Sequence, residues 1–280
     1  MNTVALVREP FIQPAPLQGE RLNDFLKVVE RNRFLPVPPR DSIFVGDGDF
    51  RTIGLEFLRY FIEIGGLREN DRVLDVGCGI GRMAVPLTQY LDPAAGEYAG
   101  VDPAASGIEW CSRNIASHYP NFRFTHIDVS HPLYNPDGCV DGSAIALPFS
   151  AGAYDFVIMT SVVTHLPACE IRPYFAEIAR LLAPGGRFFI SAFVIEDGIE
   201  LDGDGRDPRL GFEREGQGSA WHANKETPLA AVAFDDGFLD RHLRASGFEL
   251  AIKQLGRWRG KSDAPNYQDF IVAVKTARGA

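Results

Sequence analysis

Arg72-Val73-Leu74-Asp75-Val76-Gly77-Cys78-Gly79-Ile80-Gly81-Arg82-Met83 is an apolar strand that runs into a glycine-rich turn, with a helical pattern following at once. Glycine lets backbone approach a ligand closely, because no Cβ stands in the way. The helix behind the turn offers backbone N–H groups that have no partner inside the helix. Asp75 lies two residues before the first glycine. A carboxylate there would repel a phosphate; it suits a ligand carrying an ammonium or sulfonium group.

The spacing also departs from the dinucleotide fingerprint Gly-x-Gly-x-x-Gly. Here the third glycine comes one residue early, and Arg82 holds the position that fingerprint gives to glycine. The run instead resembles motif I of the class I S-adenosylmethionine (SAM) dependent methyltransferases, acid-x-Gly-x-Gly-x-Gly. The resemblance covers about residues 71–276. Ala146-Leu-Pro-Phe149 and Tyr154-Asp-Phe-Val-Ile-Met-Thr-Ser161 are similar to motif IV and its approach, and Leu182-Ala-Pro-Gly-Gly-Arg187 to a turn common in that superfamily.

Around the motif, apolar strands alternate with helical patterns, which indicates a parallel sheet covered on both faces. Strands are expected at 73–76, 98–101, 122–127, 154–160 and 187–193, with a closing pair at 248–255 and 270–275. Helices are expected at 21–33, 53–64, 82–91, 106–118, 170–182 and 238–246. The expected fold is α/β: a Rossmann-like three-layer sandwich with a mostly parallel seven-stranded sheet and a C-terminal antiparallel strand. Residues 1–66 form a helical N-terminal extension over the cofactor site, and residues 67–280 form the SAM-binding domain. Insertions at 129–146 and 194–234 lengthen the connections after the third and fifth strands. Both leave the carboxyl ends of strands, where ligands sit in open α/β sheets, so both are expected to cover substrate.

The bulk composition bounds the function. A net charge of −9 over 280 residues, with no Lys/Arg run, disfavours nucleic-acid substrates. The cysteines Cys78, Cys111, Cys139 and Cys169 are scattered, with no zinc-ligand spacing, and fit a reducing compartment. No metal is expected. No stretch approaches the length of a membrane span, and residues 1–16 lack the apolar core of a signal peptide, so a cytoplasmic enzyme is expected.

The resemblance implies cofactor contacts from Asp75, Gly77, Cys78, Gly79 and Gly81, from Asp102 and Pro103, from Asp128 and Val129, and from Thr160. Asp102, ending the second strand, matches the acid that takes the two ribose hydroxyls. Asp128 matches the acid at the adenine amino group, although the first insertion separates it from Leu147, and Asp141 is an alternative. Arg51 or Arg82 would pair with the SAM carboxylate, under a loop Phe44–Phe50 that closes over the cofactor.

Methyl transfer from a sulfonium is an in-line displacement with a good, neutral leaving group. The protein must chiefly hold the nucleophile about 3 Å from the methyl and keep water out. Motif IV reads Thr160-Ser-Val-Val163, not the Asn/Asp-Pro-Pro-Tyr/Phe of amino-methylating enzymes on DNA adenine or protein glutamine, and no Pro-Cys nucleophile occurs. A small-molecule, carbohydrate or lipid-precursor acceptor is left, with O-methylation the leading expectation. Small-molecule N-methylation and a catalytically silent SAM-binding module are the alternatives. His165, just past the fourth strand, is the first candidate base. His222, beside Trp221 in the second insertion, is the second. Glu196 and Asp197 leave the fifth strand towards the site.

Overall fold

Val73, Leu74 and Val76 form one continuous apolar run because the strand they make is buried on both faces. The computed structural model describes residues 16–44, 46, 48–196, 207, 209–260 and 264–276. In chain order the principal elements are α1 (Gly19–Arg31), α2 (Phe50–Glu63), β1 (Arg72–Val76), α3 (Ala84–Tyr90), β2 (Glu97–Asp102) and α4 (Ala105–Cys111). Next come β3 (Phe122–His126), β4 (Tyr154–Met159), α5 (Ala168–Leu181), β5 (Leu182–Ala192) and β6 (Val194–Ile195). The chain ends with β7 (Glu213–Arg214), β8 (Ala220–His222), β9 (Val232–Asp235), α6 (Phe238–Ala245), β10 (Phe248–Gln254) and β11 (Asp269–Lys275).

The main sheet has seven strands in the order β10-β11-β5-β4-β1-β2-β3. β1 to β5 run parallel, and β11 is antiparallel to both β5 and β10. Strand order reverses between β1 and β4, so the chain leaves these two strands in opposite directions and opens a crevice at their carboxyl ends.

Side chains alternate across each strand and feed two cores. Leu74 and Val76 face the layer built by α5 and α6. Val73 faces the layer built by α1, α2 and α3, with Leu22, Phe61 and Leu87. The N-terminal helices therefore share one core with the sheet. Helix α2 starts at Phe50, a turn earlier than expected, because the Asp49 carboxylate caps it, accepting from Thr52 N at 2.8 Å. The expected helix at 106–118 divides: α4 ends at Cys111 and a π-helical turn continues over Ser112–Ala116. No helix among the described residues is long and apolar enough to cross a membrane.

Both insertions carry structure of their own. In the first, Val129 and Val140 bridge, and Asn135 Nδ2 donates to the Asp128 carboxylate and the Val129 carbonyl. In the second, β6, β9, β8 and β7 form a separate four-stranded sheet in that order. It has its own core of Phe193, Ile195, Leu210, Phe212, Ala233 and Trp258. Its root is held by a buried ion pair. Asp269, 0% exposed, accepts from Arg259 Nη1 at 2.6 Å, Trp258 Nε1 at 2.9 Å and Val194 N at 2.7 Å. Arg259 Nη2 donates to the Val194 carbonyl at 2.6 Å.

Candidate active site

A cavity of about 520 Å³ opens at the carboxyl ends of β1 and β4, a size suited to a small ligand. Gly77, Cys78 and Gly79 from the loop after β1 form one part of its wall. Gly77 has φ 80°, which glycine alone adopts freely, and a Cβ there would lie 2.2 Å from Val162 Cγ2. Asp102 and Pro103, after β2, and Ile127 and Val129, after β3, continue the wall. Thr160, ending β4, and His165, in the 3-10 turn Val163–His165, close it on another side. Phe44, Gly46, Ile53 and Phe57 reach the cavity from the N-terminal segment.

Asp102 organises the cofactor side. Its Oδ2 accepts from Gly79 N at 2.7 Å and its Oδ1 from Ala104 N at 2.7 Å. A carboxylate has about four acceptor sites, so roughly two are left for ligand hydroxyls. Burial raises its pKa, against those two N–H groups, which lower it. Buried carboxylate capacity beside a glycine loop with no Cβ fits the ribose of SAM. Arg82 lines the cavity and donates to the Gly46 carbonyl at 3.0 Å. Arg51 is turned away: its guanidinium donates to the carbonyls of Glu30 and Asn32.

Several expected site residues stand outside the cavity wall. Strand alternation turns Asp75 to the face of Val73, where it is 0% exposed and its Oδ2 accepts from the Tyr98 hydroxyl at 2.7 Å. It is absent from the cavity wall, and burial pushes its pKa up to about 7. Gly81 faces α4, where a Cβ would lie 2.8 Å from Cys111 Sγ. Asp128 holds its own insertion, accepting from Asn135 Nδ2 and Cys139 N. Asp141 likewise caps its own turn through Ser143 N. His222 belongs to the small sheet, with Nδ1 at 2.9 Å from the Pro228 carbonyl and Nε2 at 3.1 Å from Glu215. Its neighbour Trp221 donates to Asp235 at 2.7 Å and lies under the Arg214 guanidinium, so it anchors the sheet. Glu196 is not in the cavity wall, and Asp197 lies outside the described residues.

The histidines divide by their partners. His131 Nε2 lies 2.9 Å from the His165 carbonyl, and its Nδ1 accepts from Leu133 N at 3.2 Å. Both of its nitrogens are committed. His165 Nδ1 lies 2.9 Å from the Leu229 carbonyl, an acceptor, so this nitrogen carries the proton. Its Nε2 then holds a lone pair with no hydrogen-bond partner among the described residues. Burial lowers the His165 pKa, which keeps the ring neutral, and Tyr134 packs edge-on against it at 5.6 Å.

The cavity also recruits residues with no signature in the sequence. Glu170 lines it from the first turn of α5, its pKa pushed up to about 7 by burial and by the charge of Asp141. Tyr174 stands one turn further along. On the far side lie Ser161, Phe193, Asp207, Leu210, Tyr267 and Gln268. Only Ser161 carried a local signal, its place directly after the strand that carries motif IV.

Comparison with known proteins agrees with this geometry. Residues 73–186 match a family described as a methyltransferase domain. A sterol 24-C-methyltransferase of Gibberella zeae is 28% identical over 176 residues, 62% of this chain and 40% of that protein. The phthiotriol/phenolphthiotriol dimycocerosates methyltransferase of Mycobacterium tuberculosis is 32% identical over 127 residues, 45% of this chain and 38% of that protein. The chain thus spans less than half the length of these curated relatives. Among solved structures, a protein of Pyrococcus horikoshii OT3 superposes with TM-score 0.56 at 16% identity, over 84% of this chain and 94% of its own. A 1,6-didemethyltoxoflavin-N1-methyltransferase of Burkholderia thailandensis gives TM-score 0.51 at 20% identity, over 94% and 93%. These likenesses establish the fold, a Rossmann-like α/β sandwich.

Proposed function

We propose that this chain, which carries a class I S-adenosylmethionine-dependent methyltransferase domain, moves a methyl group to a hydroxyl oxygen of a small, largely apolar acceptor. One observation carries the choice of oxygen: the tautomer of His165. With Nδ1–H committed to the Leu229 carbonyl, Nε2 is a lone-pair base on a residue of the cavity wall. A hydroxyl is a weak nucleophile while it keeps its proton, so a positioned base assists its attack. The imidazolium formed in that step stays bonded to the Leu229 carbonyl.

SAM, bound along Gly77, Cys78, Gly79, Asp102, Pro103 and Val129, supplies a methyl group already activated on sulfur. Asp102 holds the ribose hydroxyls, while Thr160 lines the wall where β4 ends. Phe44 and Phe57 close the N-terminal side and exclude water. The buried Asp75 carboxyl supports the loop from beneath through Tyr98. The apolar wall, with Phe193 and Leu210, suits an acceptor with little charge. A sterol, named as the acceptor of one relative, is of that kind. A second reading, a small amine acceptor, is favoured by the carboxyl groups of Glu170 and Asp207 in the wall.

The test is methyl transfer from labelled SAM to a panel of hydroxylated and amine acceptors, with the wild type and His165→Ala. The expected loss on hydroxyl acceptors is about 10²–10⁴-fold, the ordinary worth of a general base. Binding of S-adenosylhomocysteine should be unchanged. Because burial lowers the His165 pKa, the acidic limb of the wild-type rate profile should lie below the ordinary histidine value of 6.5. Equal turnover by His165→Ala removes the base assignment; turnover of amines alone supports the second reading.

A further inference from the structure

Resting on the reading of this cavity as a methyl-transfer site, we propose that Gln268 is an acceptor-binding residue whose side-chain N–H₂ group holds an oxygen of the acceptor where β4 ends. Gln268 precedes β11, is half-buried and lines the cavity. Its Oε1 accepts from two hydroxyls, Ser161 Oγ at 2.9 Å and Ser191 Oγ at 2.5 Å. Ser191 is 0% exposed, and its Oγ already accepts from Ser161 N at 2.8 Å. The Ser191 proton therefore goes to Gln268.

This fixes which way the carboxamide points. Flipping it would set the N–H₂ group against Ser191, whose proton would then lose the only acceptor it has among the described residues. With Oε1 committed to the serines, Nε2 is the end left over. It carries two N–H donors and makes no hydrogen bond to the described residues. A donor of this kind takes an oxygen lone pair: a hydroxyl, phenolate or carbonyl. It does not suit a protonated amine, which offers only N–H donors in return.

The surroundings locate this donor at the reacting end of the cavity. Ser161 is the second residue past the end of β4, at the switch point of the sheet. It has φ 58° and is the only non-glycine residue with positive φ among the described residues. That conformation costs on the order of 1 kcal/mol. Three hydrogen bonds hold it: Ser161 N to Ser191 Oγ, Ser161 Oγ to Gln268 Oε1, and Thr164 Oγ1 to the Ser161 carbonyl. The next residue, Asp269, is locked by Arg259, Trp258, Gly256 N and Val194 N. The carboxamide is thus preorganised, which lowers the ordering cost of binding. Phe193, Leu210 and Tyr267 stand beside it, so the oxygen it receives belongs to a mainly apolar or aromatic body. Ser161 and Ser191 act through Gln268 and are positioning residues.

The experiment compares two probes of the same shape, 4-propylphenol and propylbenzene, titrated calorimetrically into the S-adenosylhomocysteine complex. The wild type should bind the phenol up to about tenfold more tightly, the worth of one hydrogen bond. Gln268→Leu should reduce that preference by at least about threefold, what remains being the hydroxyl's bond to His165, and leave S-adenosylhomocysteine affinity unchanged, and Gln268→Met, closer in shape, should do the same. Ser191→Ala, which releases Oε1, should reduce the preference by about threefold. An undiminished preference in whichever Gln268 variant melts within a few degrees of the wild type overturns the assignment, as does a wild type with no preference. Failure of the wild type to bind S-adenosylhomocysteine overturns instead the methyl-transfer reading, and this assignment with it.

Discussion

On the cofactor side of the cavity, the wall follows strand ends closely: Gly77 to Gly79 after β1, Asp102 and Pro103 at the end of β2, Ile127 and Val129 after β3. On the far side, Gln268 meets Ser161 across 107 positions, and Leu210, Ala223 and Ala231 arrive from a sheet inserted after β5. The first wall is made by the turns that any β-α unit must have. The second is made by packing one sheet against another. Local geometry specifies the first; long-range contacts specify the second, and those contacts meet at Asp269.

The most direct way to break the second wall alone is Arg259→Ala. It strips Asp269 of its buried partner and leaves an uncompensated carboxylate, at a cost of about 3–5 kcal/mol. Thermal melting measures the loss. Hydrogen exchange tests the contrast: residues 209–235 should lose protection first, while β1, β2 and β4 keep theirs. Uniform loss across both sheets would mean that the two walls fold as one unit.

Asp102→Ala attacks the first wall instead. It removes the acceptor of two backbone N–H groups, those of Gly79 and Ala104, along with the proposed ribose contacts. Affinity for S-adenosylhomocysteine should fall by about 100-fold, from hydrogen bonds to a charged group worth about 1.5–3 kcal/mol each. Calorimetry reads it, and exchange in the inserted sheet should be unaffected.

A graded, pH-dependent effect sharpens what lies beneath the first wall. Burial raises the Asp75 pKa from 3.8 to about 7, so the folded protein holds a proton that the unfolded chain has released. The stability this contributes is full below about pH 4 and is lost as pH rises towards 7, with a slope of at most about 1.4 kcal/mol per unit. Glu170, raised to about 7, adds a slope of the same sign. Asp75→Asn keeps an acceptor for Tyr98 and should flatten the curve. Denaturant unfolding at pH 4, 5.5 and 7 should show the wild type losing stability relative to the variant at each step. A constant difference would mean that Asp75 is ionised in the fold.

The same contrast explains which site residues could be read ahead of the structure. Gly77, Cys78, Gly79, Asp102, Pro103, Val129, Thr160 and His165 stand in the cavity wall. Asp75 does not, because side chains alternate along β1 and its own turns away. Asp128 does not, because the insertion that follows it supplies Asn135 and Cys139 as nearer partners. His222 had the right chemistry, but its strand pairs within the small sheet and commits both ring nitrogens there.

From the chain alone came the class of fold, the succession of strands and helices and the cofactor loop. Each follows from residues close in sequence: apolar runs, glycines where a backbone must turn or be approached, and an acid at the end of a strand. The tertiary structure alone decided which nitrogen of His165 bears the proton, which way the Gln268 amide points and how the insertion folds. Each of those depends on a partner far along the chain: Leu229 for His165, Ser161 and Ser191 for Gln268, Asp269 for the root of the small sheet. A hydrogen bond is directional and short, so the orientation of a polar group is set by the atom it meets, and only the folded chain brings that atom to it.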